Sequence, residues 1–291
     1  MKLFISDGED QTEDIAVTES ILSKQSLSVV MPAYNEGETI YTNLIETIRT
    51  LDTFGMEYEI IAVNDGSMDN TTEMISKVAS VHPQVLLVTY TKNGGKGNAI
   101  REGVRFAKND LVAFLDSDLE LHPRQLRHFI EEIETTGADV VIGSKRHPDS
   151  IVRNYPERRV RLSKGYSLLV KVLFGMHLTD TQPGLKLFKR KVLVREYPKI
   201  TVKRYAFDLE ILYNAMSDGY KVVEVPLEIN FSRVDGGRIG FHSVMCMFRD
   251  TMGIFYRAKI TRYYNKKDQE WLQANGSLDH EVRPIGAIND K

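Results

Sequence analysis

Short apolar runs alternate along the chain with longer stretches whose apolar residues recur every three or four positions. The runs LSVVMP (27–32), YEIIAV (58–63), VLLVTY (85–90), LVAFL (111–115) and DVVIG (139–143) are mostly continuous rather than alternating. That is the pattern of strands covered on both faces. Helical patterns follow at 38–51, from Met68, from Lys96 and from Pro123. The βαβα order predicts an α/β fold, a doubly wound and mostly parallel sheet with helices on both faces. Asp69, Asn70 and Thr71 offer caps after the turn NDGS. Pro123 suits a first helical position, with His122 before it. A later strand, LKLF (185–188), follows a turn that holds Asp180 and Gln182.

Ligands of such sheets bind beyond the carboxyl ends of the strands. Four polar segments fall there: PAYNE (32–36), NDGSMDN (64–70), TKNGGKGNA (91–99) and DSDLE (116–120). The last places Asp116, Asp118 and Glu120 close together after an apolar strand. Such carboxylates repel one another unless a cation sits among them, and hard oxygen ligands suit Mg²⁺ or Mn²⁺. The loop NGGKG matches neither a Walker A sequence nor a G-x-G-x-x-G fingerprint.

Composition narrows the classes. The chain has 291 residues, 42% of them hydrophobic and 27% charged, which is globular rather than disordered. A net charge of −2 argues against a general nucleic-acid binder. The lone cysteine, Cys246, cannot form an internal disulfide, which fits a reducing compartment. The start MKLFISDGEDQTED lacks the basic, then apolar pattern of a signal peptide. No apolar stretch reaches the roughly 20 residues of a spanning helix, so a soluble or peripheral protein is expected. Residues 144–171 and 231–267 each carry eight Lys or Arg against two acids, marking two basic zones. The expected organisation is a polar extension (1–26), a catalytic domain (27–230) and a basic amphipathic extension (231–291).

The segments SVVMPAYNE, IIAVNDGSMDNT, NGGKGNAIREG and VAFLDSDLELHP resemble the inverting family 2 glycosyltransferases of GT-A fold. VIGSKRH and DTQPGLKLFKR are similar to dolichyl-phosphate glucose and mannose synthases, and RYAFDLEILYNA to the glucose type. The likeness spans about residues 27–259. It implies that Pro32, Ala33, Tyr34, Glu36 and Asp65 hold the nucleoside. Asp116, Ser117 and Asp118 would face the diphosphate, Lys96 would bind the donor, and Asp116, Asp118 and Glu120 would hold a Mg²⁺ or Mn²⁺ ion. Glu120 stands where some mannosyltransferases place Gln. Lys145 replaces the Arg of the usual GSR. Arg233 and Arg238 match a basic donor-binding pair, at a spacing one residue shorter.

A polyprenyl or dolichyl phosphate acceptor is already anionic near neutral pH and needs no general base. It needs cations, and Arg153, Arg158, Arg159, Arg161 and Lys164 supply them. Lys145, Arg158, Arg161, Asp180 and Gln182 are placed with the acceptor. Asp208 and Glu210 lie two apart on a helix and point to different faces, which favours Asp208 for the sugar or acceptor. The expected reaction moves a hexose from a nucleotide sugar, UDP-glucose or a related UDP-sugar, to the lipid phosphate. The alternatives are a GDP-mannose donor, a soluble or polysaccharide acceptor with Asp208 as base, and a nucleotide-sugar-binding protein without catalysis. In 241–267, Phe241, Met245, Phe248, Met252 and Phe255 recur at helical spacing beside Arg249, Arg257, Lys259, Arg262, Lys266 and Lys267. That pattern predicts either an interfacial helix at the cytosolic face of an anionic membrane or a helix packed on the catalytic domain.

Overall fold

The computed structural model describes residues 25–231 and 241–275. Arg233 and Arg238 lie outside the described residues, as does the N-terminal extension through residue 24. The five predicted strands form as β1 (Ser26–Ala33), β2 (Glu57–Asp65), β3 (Val85–Tyr90), β4 (Leu111–Leu115) and β5 (Val140–Ser144). A short pair, β6 (Ile151–Arg153) and β9 (Glu228–Asn230), lies apart. With β7 (Leu185–Lys189) and β8 (Val222–Pro226), the main sheet has seven strands in the order β3-β2-β1-β4-β7-β5-β8. Its pairings are parallel except at β7, which runs antiparallel to both β4 and β5. This reversal matters for the site. The start of β7 lies beside the end of β4, pairing Leu185 with Leu115 and Lys186 with Phe114.

The sheet's two faces carry separate cores. Leu27, Val29 and Met31 of β1 pack against α1 (Ile40–Asp52), α2 (Thr71–Ala79) and α4 (Leu126–Thr136). Val30, Ile61 and Phe114 face α3 (Lys96–Val104), α5 (Glu157–Phe174), α6 (Arg190–Glu196) and α7 (Phe207–Ser217). Helix α1 buries Ile40, Leu44, Ile48 and Leu51, a repeat of three or four that keeps one stripe on the sheet. Helix α4 buries Leu126, Phe129, Ile130 and Ile133 and stops at Gly137, whose φ of 68° is left-handed. The helix predicted from Pro123 opens as a 3₁₀ turn, capped by the His122 ring nitrogen, which accepts from the Arg124 N–H at 3.1 Å. At α2 the capping oxygen is that of Asp69, which accepts from the Thr71 N–H at 3.0 Å.

The C-terminal segment packs on the second face. It comprises α8 (Phe241–Phe255), a π-helical turn (Tyr256–Ile260) and α9 (Tyr263–Asn275). Ile254 and Tyr264 are core residues. The predicted single apolar stripe of α8 is split. Phe255 turns in against Phe174, with ring centroids 6.1 Å apart, whereas Met245 and Phe248 remain about half exposed. The expected row of free bases is split as well. The Arg257 guanidinium donates to Glu210 and Tyr264, while Arg249, Arg262 and Lys266 stay exposed.

Candidate active site

The loops after β1 and β2 are laced together. The Asn35 N–H donates to Ser67 Oγ, Glu36 N–H to Thr71 Oγ1, and Gly37 N–H to Asp69 Oδ2, each at 2.9 Å. Asn35 takes a left-handed φ of 53°, which aims its Oδ1 at the Met68 N–H, 3.0 Å away. Ala33 is buried, while Tyr34 stands exposed at the sheet edge. An exposed aromatic there offers a stacking face.

Asp65 orders the loop after β3. It is buried, and its carboxylate accepts from Tyr90 OH at 2.6 Å, from the Gly94 and Gly95 N–H groups at 2.8 Å each, and from Asn93 Nδ2 at 3.1 Å. Those bonds spend both oxygens on ordering the glycine loop. They also push the Tyr90 hydroxyl's pKa up, through burial first and the Asp65 bond second. From the other side, Lys203 O accepts from the Asn98 N–H at 3.0 Å. A Cβ on Gly97 would lie 2.7 Å from Phe207 Cβ and 3.0 Å from the Lys203 backbone, so the close seating requires glycine.

Three Lys–Asp pairs line the carboxyl edge. Lys96 Nζ lies 2.6 Å from Asp116 Oδ1, Lys186 Nζ 2.9 Å from Asp208 Oδ1, and Lys145 Nζ 2.6 Å from Asp180 Oδ2. Tilted aromatic pairs set the middle of this row. Phe114 lies 4.8 Å from Phe188 and 6.3 Å from Phe207 between ring centroids, locking β4, β7 and α7 together beneath the acids. Burial opposes the Lys96 charge, but the charges of Asp116, Asp208 and Asp118 outweigh it and hold the ammonium well above the usual lysine range. For Lys186 burial wins over Asp208 and, with the nearby Lys96 charge, lowers its pKa. Burial would raise the Asp180 carboxyl, yet Lys145 holds it below the usual range.

Lys145, Asp180 and Gln182 lie together. The Gln182 N–H donates to Asp180 Oδ1 at 3.1 Å, and its Nε2 to Tyr205 O at 2.9 Å. Asp208 faces the row, while Glu210 turns away. The Glu210 carboxylate accepts from the Thr201 N–H at 2.9 Å, the Val202 N–H at 2.7 Å and Tyr264 OH at 2.6 Å. Arg161 and Lys164 are exposed on α5, and Arg153 on β6. The side chain of Arg158 lies outside the described residues. Helix α5 is tied to this edge by Arg146, which donates to Thr179 O at 2.9 Å and Ser163 Oγ at 2.8 Å.

The acids of DSDLE do not converge. Leu119 adopts φ 51°, and Asp118 Oδ1 accepts from the Glu120 N–H at 3.1 Å, winding the chain into a turn. Among the described residues no three His, Cys, Asp or Glu side chains gather into a cation site. The expected set of Asp116, Asp118 and Glu120 is not gathered as three converging carboxylates among the described residues. A small divalent cation is ordinarily held by one or two carboxylates, with substrate phosphates and water filling its shell. Asp116 and Asp118 fit that role, and a cation, the Lys96 ammonium, already rests on Asp116.

Lys186, Arg146 and Gly184 were not singled out by sequence reasoning. The signal for Lys186 was one charge inside the otherwise apolar run LKLF. Gly184 is needed because a Cβ there would lie 2.4 Å from Asp116 Oδ2.

This parallel sheet with a reversed strand and a charged carboxyl edge belongs to an enzyme class. Residues 28–195 match the model of glycosyl transferase family 2, and the chain belongs to that family. It is a glycosyltransferase. It is similar to the dolichyl-phosphate beta-glucosyltransferase ALG5C of Trichomonas vaginalis, 33% identical over 252 residues, covering 82% of this chain and 74% of that protein. It is also similar to the dolichyl-phosphate beta-glucosyltransferase of Saccharomyces cerevisiae, 31% identical and covering 73% and 69% of the two chains. Among solved structures, it shares the fold of Mycobacterium tuberculosis glucosyl-3-phosphoglycerate synthase, crystallised with Mn²⁺, UDP and phosphoglyceric acid. The TM-score is 0.64 at 20% identity, over 83% of this chain and 81% of that one.

Proposed function

We propose that the chain transfers glucose from UDP-glucose to a dolichyl or polyprenyl phosphate at a membrane surface, with inversion at the anomeric carbon. The dolichyl-phosphate glucosyltransferases named above support the substrate class. The observation that carries the mechanism is the pairing of Asp208 with the buried Lys186. A carboxylate matched by an ammonium is a poor general base, which suits an acceptor that is already an anion.

In this reading Tyr34 and Glu36 meet the nucleoside, and Lys96, Asp116, Ser117 and Asp118 face the diphosphate. A Mg²⁺ or Mn²⁺ ion held by Asp116 and Asp118 supplies Lewis-acid stabilisation of the departing diphosphate. Asp208, held by Lys186 at 2.9 Å, would accept from a sugar hydroxyl. Lys145, with Arg161 and the other bases of α5, draws in the acceptor phosphate. A phosphate oxygen forms the new bond to the anomeric carbon as the bond to the diphosphate oxygen breaks, and UDP leaves with the electron pair.

The membrane reading rests on the outer faces of α5 and α8. Among the described residues, no helix is long and apolar enough to cross a membrane. Leu168 is 63% exposed and Val172 73%, beside exposed Arg161, Lys164 and Lys171. Met245, Phe248 and Arg249 extend the same character on α8. Apolar side chains among bases suit an anionic lipid surface, such as the cytosolic face of a membrane.

The test is a panel of radiolabelled UDP- and GDP-sugars, incubated with protein, Mn²⁺ and either dolichyl phosphate vesicles or soluble acceptors. Label from UDP-glucose in the organic phase is expected. Transfer only to soluble acceptors would replace this reading.

A further inference from the structure

Resting on that reading of the donor site, the geometry points to Lys96 as an exchangeable cation. Without metal its ammonium occupies Asp116, and on metal entry it yields that oxygen and turns to the donor's diphosphate.

The two oxygens of Asp116 are not equivalent. Oδ2 lies beside Gly184, where an added Cβ would stand 2.4 Å away. Oδ1 is the other oxygen, and Lys96 Nζ holds it at 2.6 Å. A divalent ion that binds Asp116 through Oδ1 competes for the atom the ammonium already has. Ammonium and metal cannot share it comfortably, because both are cations and a metal–oxygen bond is only about 2.1 Å long. Lys186 is fixed from behind, 2.9 Å from Asp208 and bonded to Pro183 O, so it cannot take the vacated place. The Lys96 side chain is different. It is about a third exposed, and it leaves the first turn of α3 just after Gly95, whose φ is 90°.

Displacement has a second consequence. A freed ammonium next to a bound divalent ion needs an anion, and a nucleoside diphosphate supplies one to both cations. The first turn of α3 also favours negative charge. Metal and nucleotide should thus bind as a coupled pair, each weak alone. Coupling of this kind is reciprocal: whatever factor UDP adds to the metal's affinity, the metal adds to that of UDP.

The experiment measures binding rather than turnover. Mn²⁺ is titrated into the full chain with and without UDP, and free Mn²⁺ is read by electron paramagnetic resonance. Wild type, Lys96→Met, Lys96→Gln and Lys96→Arg are compared at equal ionic strength. In wild type, UDP is expected to tighten Mn²⁺ by about tenfold or more. Without UDP, both neutral variants should bind Mn²⁺ several-fold more tightly than wild type, and UDP should add less. Lys96→Arg, which keeps the charge, should stay near wild type without UDP. Circular dichroism confirms that each variant is folded, and the second neutral variant serves if the first is not. Neutral variants that bind Mn²⁺ no more tightly than wild type would overturn the proposal, even if UDP affinity falls. Lys96 would then be a donor contact and nothing more. This outcome is separate from failure of the transfer reaction, because Mn²⁺ and UDP binding need no acceptor.

Discussion

Lys186 and Gly184 are adjacent in space to the acids they serve, and each constrains one atom. Gly184 leaves room for Asp116 Oδ2, so Gly184→Ala must push that carboxylate aside. A misplacement of about 1 Å can cost on the order of a hundredfold in rate. Gly184→Ala is expected to lower kcat/KM by about that factor with little change in melting temperature, measured side by side. Asp118→Ala is expected to abolish turnover and metal-dependent donor binding while circular dichroism stays native. Unchanged activity at saturating Mn²⁺ would remove Asp118 from the metal site. The acids were legible in the sequence because an apolar strand ends on them. The bonds from Asp65 to the glycine loop were not legible, since a carboxylate that orders a loop and one that contacts a ligand read the same in sequence.

At the scale of elements, β1 to β5 were legible because buried parallel strands are continuous apolar runs, and α1 and α4 because each keeps an apolar stripe. The direction of β7 was not legible, because LKLF reads the same in either sense. That reversal is what brings Lys186 to the ligand edge. The C-terminal segment was ambiguous, since an apolar helical stripe suits a core and a membrane equally. The structure divides it: Thr251 and Ile254 are buried, and Tyr264 reaches Glu210. Because Glu210 also bonds the 201–202 backbone, the segment braces the loop whose Lys203 O seats the glycine loop. Tyr264→Phe is expected to cost about 1.5–3 kcal/mol in denaturant unfolding. A second joint, between α6, α7 and α9, joins Glu196, Lys199, Asp218, Arg195 and Asp268. Burial pushes the Glu196 carboxyl from 4.5 up to about 8, against the pull of Lys199. Between those values the folded chain holds a proton that the unfolded chain has released. This contribution to stability is therefore full below about 4.5 and is lost as pH rises towards about 8. Thermal melts at pH 5.5 and 8 should show wild type losing more stability on alkalinisation than Glu196→Gln; equal losses would place the titration elsewhere.

For the whole molecule, the proposed reading has the charged edge and the basic, apolar faces of α5 and α8 serve one reaction at an interface. The protein is expected to float with anionic liposomes at low salt and less so at high salt, because the electrostatic attraction is screened. Leu168→Asp with Val172→Asp should weaken flotation and lipid-dependent transfer more than UDP binding. Loss of UDP binding in parallel would assign α5 to the fold instead. The central claim is that the acceptor is a phosphate anion needing no general base. It is tested most directly by incubating the protein with Mn²⁺ and labelled UDP-glucose on vesicles containing either dolichyl phosphate or dolichol, the same lipid with a hydroxyl in place of the phosphate. Label is expected in the organic phase with dolichyl phosphate and not with dolichol. Comparable labelling of dolichol, or none of dolichyl phosphate, would contradict it.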